Sequence, residues 1–302
     1  MGSGTGRCWV SALLLFMVLT GCDRQPEGTT QTDQRAAVAG VLSDQCDGTA
    51  PQPDTLPGAE SVTYAHPGDR DLRLHLFQPV QGQANGKPAI LFFFGGSWRT
   101  GNILSFKEQA DAFAAKGYVA VLADYRVKCR DGSNPVQSVN DAQAAYEWLH
   151  DHAGDHGIDP RHIILAGGSA GGHLALVTAL KAGHDHKPLA LVLFNPPVDL
   201  VTPAPLFLKP LAWWISPSRM AMGDLPPTLI LHGGADSQVP IASVRAFCDH
   251  ANDTGRTCRL MEYEGQAHGF YHSHVPDPVT GRSPYEDTLG LALDFVQQML
   301  AN

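Results

Sequence analysis

The stretch Ala166-Gly167-Gly168-Ser169-Ala170-Gly171-Gly172-His173 decides the fold. It follows an apolar run at 162–165, whose length and β-branched residues favour a buried strand, and it precedes 174–180, which is typical of a helix. The pattern G-x-S-x-G at a strand-to-helix junction places the serine in a sharp, strained turn that leaves no room for neighbouring side chains. Such a turn lifts the Ser169 oxygen clear of the sheet and points the next amide toward a developing anion. The stretch therefore predicts a nucleophilic Ser169; an ordinary turn of small residues is the alternative.

Short apolar runs alternate with helical patterns along most of the chain. The continuous runs at 88–94 and 118–123 are typical of strands buried on both faces of a parallel sheet. A helix is predicted over 141–152, with Asn140 as its N-cap. This alternation predicts the α/β class, with a mostly parallel central sheet and helices on both faces. The other predicted strands are 61–66, 72–77, 189–194, 228–231 and 258–263, and the other predicted helices are 106–116, 241–252 and 285–300.

The length and charge of the chain narrow the classes of protein to which it can belong. The 302 residues, 43% hydrophobic and 17% charged, suffice for one large domain with a full core. The net charge of −9 is spread along the chain without a basic stripe, which argues against a nucleic-acid partner. We expect one domain over 59–302, with a small cap-like insert near 196–225, and the sequence does not determine an oligomeric state.

The N-terminus has the features of an export signal. Arg7 precedes a short apolar run at 8–19, which ends in Leu19-Thr20-Gly21-Cys22. That ending resembles the lipobox of bacterial lipoproteins, in which the cysteine is lipidated and becomes the first residue of the mature chain. We expect a signal peptide over 1–21, a lipid anchor on Cys22 and a flexible tether over 22–58. A plain secretory signal is the alternative.

The same interpretation predicts the location. A lipidated chain would face the periplasm from a membrane of the bacterial cell envelope, and Asp23 directly after Cys22 favours the inner membrane. Four cysteines then remain in an oxidising compartment, which favours disulfides. The preferred pairing is Cys248 with Cys258 and Cys46 with Cys129, with free buried thiols as the alternative. Metal binding is disfavoured, because the chain has no C-x-x-C spacing.

A serine nucleophile needs an acid to orient its base. The stretch Leu231-His232-Gly233-Gly234-Ala235-Asp236 places an acid on the loop after a predicted strand. Asp236 is therefore the predicted acid. Asp199, which follows the preceding predicted strand, is its main rival.

The base is predicted from a glycine-flanked loop near the end of the chain. Gly265-Gln266-Ala267-His268-Gly269-Phe270 follows the last predicted strand, so His268 is favoured over the nearby His272 and His274. The resulting order of serine, acid and histidine along the chain is that of the α/β-hydrolases.

Carbonyl attack also needs amides that meet the negative charge formed on oxygen. Phe94-Gly95-Gly96-Ser97-Trp98 follows the third predicted strand, where the hydrolase fold supplies such amides. We expect the amides of Gly96, Ser97 and Ala170 to form the oxyanion hole. A glycine turn packed by Trp98 is the alternative.

From about residue 60 to the end, these motifs resemble the hormone-sensitive-lipase-like and acetyl (xylan) esterase-like branch of the α/β-hydrolases. The resemblance implies the α/β-hydrolase fold and a cofactor-free serine esterase acting on carboxylic esters. Three positions depart from the pattern of the branch. Phe94 stands where a histidine is usual, Ser97 stands where a third glycine is usual, and Gly168 replaces a frequent aspartate.

The substrate is less well indicated. Trp98, with Trp213 and Trp214 in the predicted insert, could line an acyl pocket or stack on a sugar ring, and they are the candidate substrate-binding residues. Packing of the insert onto the sheet is the alternative for the two tryptophans of the insert. The histidines of 150–156 and 184–186 fall near predicted helix ends, where solvated histidines are common, so no metal is expected.

The sequence thus predicts a serine carboxylesterase for short-chain esters, with acetyl esters of carbohydrates favoured by the export signal and the resemblance. An esterase for short-chain lipids or xenobiotics, a formamidase and a peptidase would use the same three residues. A non-catalytic binding protein and a metal-dependent hydrolase are alternatives of other classes.

Overall fold

The computed structural model describes residues 46, 49, 51–80, 85–203 and 209–301. An eight-stranded sheet is its central element, with strand order β1-β2-β4-β3-β5-β6-β7-β8. Five of the seven strand pairings are parallel and only β1–β2 and β2–β4 are antiparallel. The strands are β1 Glu60–Ala65, β2 Leu72–Phe77, β3 Lys87–Phe93, β4 Val119–Ala123, β5 Ile158–Gly168, β6 Ala190–Phe194, β7 Thr228–Gly233 and β8 Cys258–Tyr263.

Helices connect the parallel strands. The α-helices are α1 Lys107–Ala115, α2 Lys128–Asp131, α3 Pro135–Asp151, α4 Ala170–Lys181, α5 Lys209–Ile215, α6 Ile241–Asp253 and α7 Pro284–Leu300. Short 3₁₀ helices are Ile103–Phe106, Ala153–His156, His184–His186, Pro217–Arg219, Met222–Asp224 and Phe270–His272. This architecture confirms the predicted α/β-hydrolase fold.

The core lies on both faces of the sheet. Every residue of β4, β6 and β7 is buried, as continuous apolar runs predict for strands covered on two sides. The ring of Phe92 in β3 stacks on Phe106 and meets Phe113 of α1 edge-on. Because side chains alternate along a strand, its neighbours Leu91 and Phe93 face the opposite layer, and α4 packs on β3, β5 and β6.

The helix α3 begins earlier than the sequence pattern indicates. The expected start was residue 141 with Asn140 as cap, whereas Asn134 caps the helix and Pro135 is its first residue. The Asn134 side chain accepts from the amides of Val136 and Gln137, and the Gln137 side chain reaches back to the Asn134 amide. This reciprocal capping box, with a proline at the first turn, is the stronger start signal.

The domain includes residues that precede its predicted boundary. The signal peptide, Cys22 and most of the predicted 22–58 tether lie outside the described residues. The described part packs against the domain, where Leu56 is buried in the core and Gln52 bonds to Gly101 and Ile103. The polar composition of this segment does not predict these contacts, because they depend on the individual side chains of Gln52 and Leu56.

Both preferred cysteine pairings are present. Cys46 bonds to Cys129 across 83 residues, and Cys248 in the second half of α6 bonds to Cys258 at the start of β8. A disulfide that closes a longer loop restricts the unfolded chain more. In the chain-entropy account, Cys46–Cys129 therefore adds roughly 4–5 kcal/mol to the free energy of unfolding, and Cys248–Cys258 adds roughly 2–3 kcal/mol.

None of the described helices combines the length and apolar composition that crossing a bilayer requires.

Candidate active site

Ser169 lies in a strained turn between β5 and α4. Its φ of 52° and ψ of −122° are in a region that L-residues rarely occupy, as a nucleophile elbow requires. The turn closes tightly because Gly171 lies against β3: a Cβ there would be 2.0 Å from the Phe93 carbonyl oxygen. Gly168, where an aspartate is common in similar proteins, leaves the space that the Tyr271 hydroxyl fills, 1.9 Å from a hypothetical Cβ.

The three predicted catalytic side chains form one hydrogen-bonded chain. His268 Nε2 lies 2.8 Å from Ser169 Oγ, and His268 Nδ1 lies 2.7 Å from Asp236 Oδ2. An ionised carboxylate only accepts, so Nδ1 carries the proton and Nε2 is left to accept from the serine hydroxyl. In this tautomer His268 is able to act as a general base toward Ser169.

Asp236 is buried and held ionised. Its Oδ1 accepts from the amides of Gln238 and Val239, each at 2.9 Å. Burial by itself would raise the pKa of Asp236, but the hydrogen bond and charge of His268, with the Val239 amide and His232, hold that pKa below its ordinary value of 3.8. The acid is therefore in the state needed to stabilise an imidazolium on His268.

The rival residues have other contacts. The Asp199 carboxylate lines the cleft but accepts from the amides of Val201 and Thr202, closing its own turn. His274 bonds to Glu108 on the surface, and the ring of His272 lies against Phe106 and Tyr271. Among these candidate acids and histidines, Asp236 and His268 are the pair that hydrogen bonds connect to Ser169.

The predicted oxyanion-hole loop lies beside the nucleophile. A Cβ on Gly95 would be 3.3 Å from the Ser169 Cβ, so the backbone of this loop passes directly along the elbow. Gly96 has a φ of 128° and Ser97 a φ of 54°, which turns the chain sharply after β3. In the described ranges, the amides of Gly96, Ser97 and Ala170 donate to no protein acceptor, which leaves them available for an oxyanion.

The loop is braced by an aromatic pair in place of a histidine. The Phe94 ring stacks on Tyr125 at 4.0 Å between centroids, and the Tyr125 hydroxyl donates to the Phe94 carbonyl oxygen at 2.6 Å. The far side of the loop is held by the amides of Lys128 and Cys129, which donate to the carbonyls of Trp98 and Arg99. The departure at Phe94 thus keeps the loop supported.

A cleft of about 790 Å³ opens beside Ser169. Its wall is mostly apolar and includes Trp98, Pro135, Leu200, Leu211, Ile215 and Val239. Trp98 is therefore at the cleft, where it is 6% exposed and its ring meets that of His173 edge-on.

Trp213 and Trp214 are not brought to the cleft. They are 54% and 73% exposed, whereas Leu211, Ala212 and Ile215 of the same helix line the cleft. The helical period explains the difference, since residues one to two positions from the inward ones turn to the outer face. The sequence-based assignment of these two tryptophans to substrate binding is therefore not supported by their position.

One residue of the site was missed by sequence reasoning. Asn195, directly after β6, donates from Nδ2 to Asp236 Oδ2 at 2.5 Å. A polar residue directly after a buried strand was the available signal for Asn195, since carboxyl ends of parallel strands form the site in this fold. Tyr125, which braces the oxyanion loop, is the second residue after β4.

A separate group of potential metal ligands lies elsewhere. Within the described residues, His150, Asp151 and His186 place one ligand atom each within 4.8 Å of one another. His150 lies at the end of α3 and His186 before β6, at the amino edge of the sheet, whereas the triad lies at the carboxyl edge. This group takes no part in the Ser169 site.

The chain is similar to known carboxylic ester hydrolases. The family model BD-FAE matches residues 74–199. The chain is 28% identical over 264 residues to the probable carboxylic ester hydrolase LipM of Mycobacterium tuberculosis, covering 74% of this chain and 61% of that protein. The chain spans about three fifths of the length of the curated relatives it matches.

Solved structures are similar over more of their length. Thermogutta terrifontis esterase 2 phosphorylated by paraoxon has a TM-score of 0.73 and 36% identity, covering 80% of this chain and 95% of that one. The propionate-bound form of the same esterase has a TM-score of 0.73 and 34% identity, with the same coverage.

Proposed function

The chain belongs to the α/β-hydrolase superfamily, in its hormone-sensitive-lipase-like esterase branch, and from this premise we propose that it is a serine carboxylesterase for short-chain esters. The observation that carries the proposal is the chain of hydrogen bonds from Ser169 through His268 to Asp236, beside three amides that donate to no acceptor among the described residues. The proposed catalytic residues are Ser169, His268 and Asp236. Gly96, Ser97 and Ala170 are the proposed oxyanion donors.

The proposed reaction proceeds through an acyl-enzyme. His268 Nε2 takes the proton of Ser169 as its oxygen attacks the ester carbonyl, and the tetrahedral oxyanion is met by the three amides. The C–O bond to the alcohol then breaks, and the alcohol leaves with the proton from His268. Water repeats the sequence on the acyl-enzyme, releasing the acid and restoring the Ser169 hydroxyl. Asp236 holds the imidazole in the required tautomer throughout.

Acetyl esters of carbohydrates are the first proposed substrate class. The support is the predicted export signal, the resemblance to acetyl esterases and the short acid in the propionate-bound esterase 2 structure. The cleft favours a second candidate, an esterase for lipid or xenobiotic esters. Its apolar wall and its volume of about 790 Å³ leave more room than an acetyl group needs, so a bulky apolar acyl or alcohol part would also fit.

The test is hydrolysis of aryl esters graded from acetyl to octanoyl, with acetylated xylan oligosaccharides in parallel. Acetate release from the oligosaccharides that Ser169→Ala abolishes would support the carbohydrate substrate. A rate that rises with acyl length would favour the second candidate and count against the first. If wild type and Ser169→Ala were equally inactive on every ester and toward paraoxon, the esterase proposal would fail. With the triad intact, paraoxon should leave a diethylphosphoryl group on Ser169, detected by mass spectrometry.

We further propose that the protein is anchored in the bacterial cell envelope through lipid on Cys22. The support is the lipobox-like Leu19-Thr20-Gly21-Cys22 after a short apolar run. In a bacterial host, wild type should incorporate labelled palmitate and fractionate with membranes. Cys22→Ser should lose both properties. Membrane fractionation without label in wild type would count against the anchor.

A further inference from the structure

We propose that Asn195 is a positioning residue of the catalytic acid, holding Asp236 in the orientation and the ionised state that His268 needs. The inference rests on the proposed function for its kinetic consequences. Its structural basis is independent of turnover: a buried amide side chain donates to the same carboxylate oxygen that His268 uses.

The sheet brings Asn195 between the nucleophile and the acid. Phe194, the last residue of β6, pairs with Gly168 on one side and Leu231 on the other. The Ser169 amide donates to the Phe194 carbonyl at 2.8 Å, and the Asn195 amide donates to the Leu231 carbonyl at 3.0 Å. Asn195 is thus the first residue past the strand that separates β5 from β7.

The chemistry of the contact determines which amide atom faces the acid. Asp236 is ionised and only accepts, so Asn195 must present its Nδ2 donor, which lies 2.5 Å from Oδ2. Oδ2 therefore accepts hydrogen bonds from Asn195 and His268, while Oδ1 accepts hydrogen bonds from the backbone amides of Gln238 and Val239. Among the described residues four donors restrain the carboxylate, and Asn195 is the side chain among them that does not itself take part in proton transfer.

The side chain of Asn195 is buried with one polar atom unpaired. The residue has a φ of 47°, which asparagine accepts more readily than most other non-glycine residues, and its side chain is completely buried, with Oδ1 lacking a partner in the described part of the chain. An unpaired buried acceptor costs free energy. The hydrogen bond to Asp236 is the compensating contact at this position.

A donor at this position has a specific effect on the reaction. A hydrogen bond to the charged form of a carboxyl group favours that form. During attack His268 becomes an imidazolium, and only an ionised Asp236 in the correct rotation stabilises that charge. Losing the Asn195 donor should therefore lower kcat more than it raises KM, and should move the acidic limb of the pH profile upward.

Two substitutions separate the donor from the backbone. Asn195→Gly removes the donor but tolerates the positive φ, and should lower kcat roughly ten- to a hundredfold with KM within about twofold of wild type. Asn195→Asp places a second carboxylate against Asp236, and two carboxylates in such contact retain a shared proton. While the proton is shared, that variant still offers a donor to Asp236 and should lose less activity than Asn195→Gly at neutral pH, with a further loss at higher pH as the second carboxyl group ionises.

The matched control is Asn252→Gly. Within the described ranges the Asn252 side chain bonds only to the backbone of Cys258, so this change lowers stability without reaching the site. Its pH profile should match that of wild type. Asn195→Gly with a wild-type kcat and acidic limb would overturn the inference. So would losses in both Asn195 variants without any movement of that limb, because a merely structural role would behave in that way.

A spectroscopic readout separates this inference from the esterase proposal. The proton between His268 Nδ1 and Asp236 should give a far-downfield proton NMR resonance, assigned by its absence in His268→Ala. Asn195→Gly should shift or broaden it, whether or not a substrate has been found, and an unchanged resonance would count against the positioning role. Wild type lacking any Ser169-dependent hydrolysis would instead contradict the proposed function alone.

Discussion

The Tyr125 hydroxyl illustrates how single contacts prepare the site. It is buried and donates to the carbonyl of Phe94, the residue from which the oxyanion loop leaves β3. Tyr64 offers a matched contact, since its buried hydroxyl donates at 2.7 Å to the carbonyl of Asp124, the residue before Tyr125. The two hydroxyls make the same kind of bond, but only that of Tyr125 reaches the loop that carries the proposed donors.

The first prediction concerns Tyr125→Phe and Tyr64→Phe. Each should cost about 1–1.5 kcal/mol of unfolding free energy, because each removes one buried hydrogen bond to a carbonyl. Only Tyr125→Phe should also lower kcat, by roughly three- to tenfold, with little change in KM. Denaturant unfolding and ester hydrolysis measure the two effects. Equal kcat in both variants would indicate that the Phe94 carbonyl does not position the oxyanion loop.

The sequence signals that determine where a helix begins differ in strength. The helix α4 begins at Ala170, directly after the elbow, and Gly171 in its first turn lies so close to the Phe93 carbonyl that only a glycine fits there. The helix α3 begins six residues before the start that apolar spacing predicts, since that spacing is weak in the first turn and the capping box at Asn134 sets the boundary. Local capping chemistry determined this boundary more than periodicity did.

The insert after β6 shows what an apolar pattern leaves undetermined. Both tryptophans of α5 are exposed, whereas Leu211 and Ile215 line the cleft. A helical pattern defines which residues share a face but does not define which face meets the cleft. That choice depends on how α5 packs, through Ile215, against α4, where His173 Nε2 donates to the Ile215 carbonyl at 2.6 Å.

Across the whole molecule, three buried histidines are kept neutral. Burial lowers the pKa of His75 in β2 and of His173 in α4 to about 4, and it also lowers the pKa of His232 in β7. A histidine in the unfolded chain has a pKa near 6.5, so between these values the unfolded state binds more protons than the folded state. Their contribution to stability is therefore complete above pH 6.5 and declines as the pH falls toward 4.

This linkage gives a prediction for acid stability. The unfolding free energy of wild type should fall with pH below about 6.5, with up to about 1.4 kcal/mol per pH unit from each such histidine. His75→Gln should have a shallower slope between pH 6.5 and 4 than wild type. His184→Asn removes an exposed histidine and should keep the wild-type slope. Urea titrations at a series of pH values provide the test, and equal slopes in all three proteins would contradict the assignment of a neutral His75.

The order of motifs along the chain was sufficient to predict most of the site. Ser169, Asp236 and His268 each follow a parallel strand, and the topology of such a sheet brings these loops to one edge. The disulfide pairing was also favoured correctly, because Cys248 and Cys258 flank one helix-to-strand connection. Asn195 could not be predicted in the same way, since nothing local distinguishes it from other polar residues after a strand.

The sequence by itself determined the α/β-hydrolase fold and the three residues of the hydrogen-bonded chain, because strand periodicity, glycine spacing and the order of the motifs are visible without any tertiary contact. Only the tertiary structure decided that Asn195 donates to Asp236, that Tyr125 supports the loop at Phe94 and that Trp213 faces away from the cleft. Each of these depends on contacts between segments far apart in the chain, whose relative positions follow from packing of the whole sheet and its helices.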